Sequence, residues 1–175
     1  MDGVSATVNG NSAYVFYNSP ALLVVLTPPA AMSGPVNVVV TNNGASSASF
    51  TAQAATISPS LFVFHGGSYV VSSPLPGAAA ALGPLTLFPG STMAVKPGEL
   101  VALYGNGFGP ASTSPTPAIA IGGIAATVQF AGLVLPGVYE FNVVVPSGLA
   151  DGDQPITATY GGVSTQPGAL ITIQN

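Results

Sequence analysis

The ionisable side chains of this sequence are too few to build most catalytic sites. Its 175 residues include five carboxylates, one lysine (Lys96) and one histidine (His65), and no arginine or cysteine. The absence of cysteine excludes thiolate catalysis and cysteine-based zinc sites. His65 has no second histidine with which to hold a metal, and we interpret it as a polar loop residue in a predicted turn. We therefore expect no catalytic residue and no cofactor.

Two pairs of carboxylates could take part in metal binding or catalysis. Asp151 and Asp153, in "LADGDQP", form the one acidic cluster, and they are candidate calcium ligands beside the simpler interpretation as an exposed turn. Glu99 and Glu140 would be a glycosidase-type pair, but no histidine or arginine accompanies them. We expect Glu99 to pair with Lys96 or lie in solvent, and Glu140 to point outward from a strand.

The glycine-rich stretch "GNGFG" at 105–109 has the composition of a phosphate-binding loop. Dinucleotide loops need the spacing G-x-G-x-x-G and a following helix, whereas this stretch is G-x-G-x-G with no helical pattern after it. We interpret it as a turn at which the chain changes sheets. With a single lysine and no arginine, no basic patch is available for phosphates, which excludes nucleic acid as a partner.

The surface of this protein is unusually poor in charge. Only 3% of the residues are charged and 48% are hydrophobic, whereas roughly 25% are charged in ordinary soluble domains. No carboxylate, lysine or arginine occurs between Asp2 and Lys96. Because interspersed charges keep small domains soluble and monomeric, their scarcity favours association with copies of the same chain or with another surface.

Short runs rich in β-branched residues, separated by Gly, Pro and Asn, recur along the whole chain. Examples are "LLVVLTP", "VNVVVTNNG", "ELVALYG" and "ITATYGG". Their length and spacing predict β-strands in antiparallel sandwiches, so the expected fold class is all-β. The uncharged run at 76–95 contains three prolines and three glycines, and we expect no transmembrane helix there.

The second half of the sequence repeats the first. Residues 6–17, "ATVNGNSAYVFY", align with residues 119–130, "IAIGGIAATVQF". Each is a strand, an Asn-Gly or Gly-Gly turn and a second strand, which is the pattern of a tight hairpin. The following runs occur in the same order, with strands ending at Pro28 and Pro146. We therefore predict two homologous modules in tandem.

This repeat divides the chain into three parts. The first module covers 1–56 and the second covers 97–175. Between them, 57–96 is expected to form a hairpin, "SLFVFHGGSYVV", and a connector rich in Pro, Gly and Ala. The Pro/Ser/Thr-rich stretch 109–118 is interpreted as an exposed linker loop, with an O-glycosylated patch as the alternative.

The stretch "KPGELVALYGNGFGP" and the sequence after it resemble a known family. The pattern PG-x-x-V-x-L-x-G-x-G-F-G-P, followed by "IAIGGIAATVQF" and "YEFNVVVP", resembles the IPT/TIG group of immunoglobulin-like domains, and most nearly an uncharacterised C-terminal domain family of secreted bacterial proteins. The resemblance is strong at 97–173 and looser at 3–72. It implies an early-set immunoglobulin-like sandwich in each module and an extracellular or cell-surface location, and it implies no catalytic residue.

The first module lacks the opening that this family places at the start of each module. Members open with a strand and glycine turn like those at 97–110, whereas the first module begins at Val4, already inside its hairpin. A missing strand exposes a sheet edge and a slot in the core, at a deficit of about 5–9 kcal/mol if three apolar side chains stay uncovered. The candidates to fill the slot are residues 57–96, polypeptide upstream of this sequence, or a strand from a neighbouring molecule.

These observations lead to one functional prediction and one alternative. We expect a non-enzymatic extracellular structural protein that associates with itself, as a filament or sheath built by β-strand complementation. The alternative is a carbohydrate-binding or adhesive module at the C-terminus of a larger secreted protein, with extracellular glycans as partners. Strand alternation predicts Tyr14 and Phe16 on one face and Tyr17 on the other. The candidate surface for assembly or ligands consists of Tyr14, Phe16, Tyr17, Leu22, Val24 and Leu26.

Overall fold

The structure of this protein, a computed structural model, is all-β, as predicted. It describes residues 3–64, 67–73, 80–109 and 116–175, and these ranges contain no helix. The described residues therefore also contain no helix that is long and apolar enough to span a membrane. The chain divides into two compact units, Met1–Thr56 and Ile57–Asn175.

The strands of the described residues pair with one another in antiparallel ladders. Those of the first unit are β1 (Val4–Val8), β2 (Asn11–Asn18), β3 (Leu23–Leu26), β4 (Gly34–Asn42), β5 (Ala45–Ser46) and β6 (Phe50–Ala54). Those of the second unit are β7 (Ser60–Leu61), β8 (Val71–Ser73), β9 (Ala80–Ala81), β10 (Leu100–Asn106), β11 (Ala118–Ile121), β12 (Ile124–Leu135), β13 (Val138–Val144), β14 (Gly152–Tyr160), β15 (Val163–Ser164) and β16 (Leu170–Ile173).

The six strands of the first unit are linked by pairing, and β2 pairs with β1 through its first residues and with β3 through the rest, as β12 does with β11 and β13. The strand order is β3-β2-β1-β4-β5, and β6 also pairs with β4. The hairpin predicted over 6–17 is formed by β1 and β2, and its turn has positive φ at both positions, 51° at Asn9 and 78° at Gly10. Turns of this primed type match the twist of the flanking strands, and Asn and Gly adopt positive φ most readily.

The second unit is an immunoglobulin-like sandwich, because its strands pass from one layer to the other. The first residues of β12 pair with β11 and the rest of it pairs with β13. The full order is β15-β14-β11-β12-β13-β10-β8-β9, with β16 beside β14 and β7 beside β10. Buried side chains from both layers, among them Ile121, Phe141 and Ile156, meet in one core.

The two units repeat the same strand pairings, which confirms the tandem arrangement. The pairings of β1, β2, β4 and β5 recur in β11, β12, β14 and β15. Even a side-chain detail recurs: the hydroxyl groups of Thr41 and Ser46 are 3.0 Å apart, and those of Thr159 and Ser164 are 2.9 Å apart. Equivalent residues of the two units can therefore be assigned from register rather than from sequence similarity.

Residues 57–96 belong to the second unit, and the prediction of a connector between two modules is corrected accordingly. β7 and β8 pair with β10, and a bridge between Val63 and Val70 closes the predicted hairpin. The segment has the Pro, Gly and Ala content of a linker, but its side chains Leu82 and Val95 are completely buried. These residues therefore contribute to the core of the second unit.

The stretch 97–109 supplies β10, which follows β7, β8 and β9 in the chain of the second unit. β10 lies between β13 and β8 in the sheet, and the glycine turn follows it. Gly107 has a φ of 75° and its carbonyl oxygen accepts a hydrogen bond of 2.9 Å from the amide of Ser58. Phe108 is completely buried. The turn is thus a packed corner of the sandwich, in line with the structural interpretation of "GNGFG".

Candidate functional site

The candidate site is the inner face of the first unit, by which we mean the face whose equivalent in the second unit points into the core. Strand register defines it, because cross-strand partners lie on the same face and alternate residues share a face. On β1 it begins with Ala6, which pairs with Ala13 and Val40. The inner face comprises Val4, Ala6, Val8, Leu23, Val25, Val36, Val38, Val40, Phe50 and Ala52.

The equivalent face of the second unit is covered by β10. This strand pairs with β13 and brings Val101 opposite Val143 and Leu103 opposite Phe141. All four side chains are at most 4% exposed. The strand of the second unit that corresponds to β3 is β13, and β10 pairs with its free edge. Among residues 3–56, no strand pairs with β3 in this way.

Another strand of the second unit, β16, is bordered by part of the 57–96 segment. The amide of Leu170 on β16 donates to the carbonyl of Ser68 (2.8 Å), and the amide of Val95 donates to the carbonyl of Thr172 (3.0 Å). These bonds give β16 a partner on each side, because its other edge pairs with β14. Under this cover Ile171 is completely buried.

The first unit has no such cover among residues 3–56. Its edge strand β3 pairs only with β2, and β6 pairs only with β4, so each leaves one edge without a neighbouring strand in this unit. Phe50 on β6 is 70% exposed, whereas Ala169, at the equivalent place beside β14, is 3% exposed. Phe50 is thus accessible, whereas Ala6, Val8 and Val36 of the same face are buried.

An open cavity of about 270 Å³ lies at one end of the inner face. Residues of β1, β2, β3 and β4 and of the turn between β2 and β3 line it. This turn is held at its rim: the Ser19 hydroxyl accepts a hydrogen bond of 3.0 Å from the amide of Leu22, and the Ser19 amide donates to the Leu22 carbonyl at 2.9 Å. The cavity wall is therefore built from hydrogen-bonded backbone.

The equivalent place in the second unit is occupied by Phe108. Its ring lies 5.9 Å from the ring of Tyr139, 4.7 Å from that of Phe141 and 6.4 Å from that of Tyr160. The strand pairings around the two places are the same, since Val25 pairs with Val15 as Val143 pairs with Val128. Ala21 of the first unit is equivalent to Tyr139 of the second, Leu23 to Phe141, and Asn42 to Tyr160.

The outer face of the first unit carries most of the predicted aromatic surface. Tyr14 pairs with Leu26 and Tyr17 pairs with Val24, with a β-bulge at Phe16 between them. Because the bulge inserts one residue, both tyrosines lie on the same face, and the simple alternation predicted for them is corrected. The exposed fractions are 59% for Tyr14, 48% for Phe16, 50% for Tyr17, 56% for Leu22 and 40% for Val24, and Leu26 is half-buried. Leu22 lines the cavity.

The two candidate calcium ligands accept hydrogen bonds from protein groups. The Asp153 carboxylate accepts from the hydroxyls of Tyr69 (2.7 Å) and Thr172 (2.6 Å). The Asp151 carboxylate accepts from the backbone amide and the side-chain amide of Asn175, each at 2.7 Å. The hydrogen bond to Asp153 raises the pKa of the Tyr69 hydroxyl, with burial and the charge of the carboxylate adding to it. Both carboxylates therefore tie segments of the second unit to its sheet.

The remaining ionisable candidates do not come together as a reactive pair. The Glu99 carboxylate accepts a hydrogen bond of 2.9 Å from the backbone amide of Lys96, which closes a turn before β10. Glu140 lies half-buried on β13 between the buried Tyr139 and Phe141, as an outward position does. In the described part of the chain no three His, Cys, Asp or Glu residues are grouped as a metal site needs. His65, and residues 110–115 of the predicted linker loop, lie outside the described residues.

Sequence reasoning missed the residues of the cavity and the exposed Phe50. The repeat alignment contained a signal that would have found the cavity. It sets Leu23 against Phe141 and the small Ala21 against Tyr139, so the first module has lost the aromatic side chains that surround Phe108 in the second.

Comparison with known proteins finds matches among solved structures. No family profile and no curated protein matches this chain. Among solved structures, the chain is similar to the SGBP-B protein of the Bacteroides ovatus mixed-linkage glucan utilization locus, solved in complex with a mixed-linkage heptasaccharide. The two share 16% sequence identity with a TM-score of 0.40, and the alignment covers 100% of this chain and 38% of that protein.

Proposed function

We propose that this chain is a non-enzymatic extracellular structural protein that associates with copies of itself through the inner face of its first unit. The observation that carries this proposal is the exposure of Phe50, which is 70% exposed on a face whose equivalent is core in the second unit and lies on β6, a strand with one unpaired edge among residues 3–56. Uncovered apolar faces and unpaired strand edges are the surfaces through which β-proteins associate. The resemblance to extracellular IPT/TIG-like domains supports the setting.

The edges of the first unit also lack the residues that normally prevent association. Natural edge strands are blunted by charged side chains, above all lysine, or by proline. β3 reads "LVVL" and β6 reads "FTAQA", and neither contains such a residue. Because residues 3–56 carry no charged side chain at all, electrostatic repulsion between two first units is minimal.

A charge placed on the inner face should abolish the association. We expect the Val25→Lys variant to be monomeric, because pairing two inner faces would bury an unpaired ammonium group. Val24→Lys is the matched control, since Val24 is the next residue on β3 and is 40% exposed on the outer face. Light scattering over a wide concentration range measures the mass, and electron microscopy shows whether the assemblies are filaments.

Two results would contradict self-association through the inner face. The unsubstituted chain should increase in mass with concentration, and a constant monomeric mass contradicts it. Equal effects of the two lysine variants would also contradict it, because the inner face would then have no special role. Circular dichroism of both variants establishes that they remain folded.

Carbohydrate binding by the outer face is the second candidate function. The bulge at Phe16 favours it by placing Tyr14 and Tyr17 together, both about half exposed, beside Val24. Aromatic rings with a polar tip suit surfaces that are partly apolar and partly wet. If this function is correct, a glycan array should detect ligands that the Tyr14→Ala, Tyr17→Ala double variant no longer binds. An array without ligands, or one on which both proteins bind equally, rejects it.

A further inference from the structure

A second cavity lies within the second unit, and we call it the second-unit cavity. Its volume is about 350 Å³, and small-molecule sites in proteins typically have volumes of about 300–1,000 Å³. The described residues that line it all belong to 57–175, so it does not involve the surface proposed for self-association. Buried side chains form its floor and exposed side chains form its mouth.

The floor of the second-unit cavity is apolar except for one hydroxyl group. Leu82 and Val95 are completely buried there, and Val101 is almost completely buried. The remaining floor residue is Ser72, which is also completely buried. Ser72 on β8 pairs with Leu103 on β10, whose side chain lies in the core. Because cross-strand partners and alternate residues share a face, the Ser72 side chain lies on the same side of the sheet as Val101, which is the side of the cavity.

The Ser72 hydroxyl lacks a hydrogen-bond partner among the described residues. Its Oγ atom is buried and makes no hydrogen bond within that part of the chain. Buried polar groups of folded proteins almost always have a partner, because a group that gives up its hydration without one destabilises the fold. A molecule that enters the cavity and bonds to Ser72 would remove this cost.

Water alone suits this floor poorly. A buried water molecule typically makes about three hydrogen bonds, whereas Ser72 is the one polar side chain among the described floor residues. The neighbouring side chains, such as Leu82 and Val95, would instead be stabilised by contact with hydrocarbon. The floor therefore favours a molecule that combines an apolar body with a single hydrogen-bonding group.

The mouth of the cavity disfavours anions. Glu99 and Leu100 line it and are exposed. The Glu99 carboxylate is held in place by the hydrogen bond from the backbone amide of Lys96. A ligand carboxylate would meet this like charge, and it would also lose its hydration over an apolar floor. The cavity should therefore select uncharged molecules over anionic ones of the same shape.

We infer that the second-unit cavity binds a small uncharged alcohol. The ligand hydroxyl bonds to the Ser72 Oγ atom, and the hydrocarbon body packs on Leu82, Val95 and Val101. An alcohol is suited to this place because a serine hydroxyl can donate or accept a hydrogen bond, and the ligand hydroxyl can take the other role in either case. A hydrocarbon of the same shape would fill the cavity but leave Ser72 unpaired.

Three small molecules that share a phenyl ring test this inference on the full chain: benzyl alcohol, toluene and benzoate. We expect benzyl alcohol to bind saturably with a Kd of about 1–10 mM, since it has few atoms. Benzoate should bind about fivefold more weakly or worse. The NMR signals of the methionine methyl groups report binding, because Met93 lines the cavity whereas Met32 belongs to the first unit and should not shift.

The Ser72→Ala variant separates the contribution of the hydroxyl from that of the cavity. It should weaken binding of benzyl alcohol about fivefold to tenfold and leave binding of toluene within about twofold. Because the substitution removes an unpaired buried hydroxyl, the variant should fold and its unfolding temperature should not fall. Ser91→Ala is the matched control, since Ser91 is exposed and is not among the described residues that line the cavity. It should leave binding of both molecules unchanged.

Three results would overturn the inference. The first is the lack of a saturable shift of the Met93 signal at up to about 20 mM benzyl alcohol. The second is an equal effect of Ser72→Ala on benzyl alcohol and toluene, which would leave water as the partner of the hydroxyl. The third is binding of benzoate as tight as that of benzyl alcohol. None of these results depends on the mass of the chain, so this inference and self-association can fail separately.

Discussion

Replacing Gly107 by alanine is expected to remove most of the folding stability of the second unit, by about 4 kcal/mol or more. Its φ of 75° is unfavourable for any residue with a Cβ atom. A Cβ atom there would also overlap the carbonyl oxygen of Ser58 and lie 2.5 Å from its carbonyl carbon. The backbone cannot retreat easily, because Gly107 and Ser58 are joined by a hydrogen bond of 2.9 Å.

Gly123→Ala is the control that separates the clash from the backbone conformation. Gly123 has a φ of 80°, but its added Cβ atom would meet nothing within 4 Å. It should therefore cost only the positive φ, about 1–2 kcal/mol. Urea denaturation followed by circular dichroism gives the free energy of unfolding, and hydrogen exchange in 100–106 assigns it to the second unit. Equal losses for the two variants would show that the packing of Ser58 on Gly107 is not a constraint.

Replacing Phe108 by alanine is expected to cost the second unit about 3–5 kcal/mol. The side chain is completely buried, with three aromatic rings around it. Its removal leaves a cavity at the place where the first unit has one already. Because a small domain has about 5–15 kcal/mol of stability, this loss would be a large fraction of the total.

Phe130→Ala is the matched control for this second substitution. Phe130 lies on β12 of the same unit and is 44% exposed, so the same change of side chain should cost about 1 kcal/mol or less. The same denaturation experiment measures both variants. A loss for Phe108→Ala no greater than that for Phe130→Ala would contradict the view that the glycine turn acts by anchoring its phenylalanine in the core.

The two substitutions also indicate why the first unit differs. A complete sandwich of this kind depends on its opening strand and on the aromatic plug behind it. In the first unit, the side chains that would surround the plug are shorter, Ala21 and Leu23 in place of Tyr139 and Phe141.

Local features could be predicted because they depend on neighbours in the sequence. The hairpin turn at Asn9-Gly10 is set by residues that tolerate positive φ, and the strands on either side by alternation of apolar side chains. The tandem repeat and the missing opening of the first module follow from the same patterns. Asp153 could be recognised only as an acidic turn residue, because its partners Tyr69 and Thr172 are distant in the sequence.

By itself, the sequence determined an all-β chain of two repeated modules whose side chains offer few catalytic or metal-binding groups. Only the tertiary structure decided that 57–96 completes the second unit, because that assignment depends on pairings with β10 and β16 across long stretches of chain. It also decided that Tyr14 and Tyr17 share a face, since a single inserted residue reverses the alternation. The cavity of the first unit, too, could be found only in the tertiary structure, because strand pairing brings together the residues of four strands that line it.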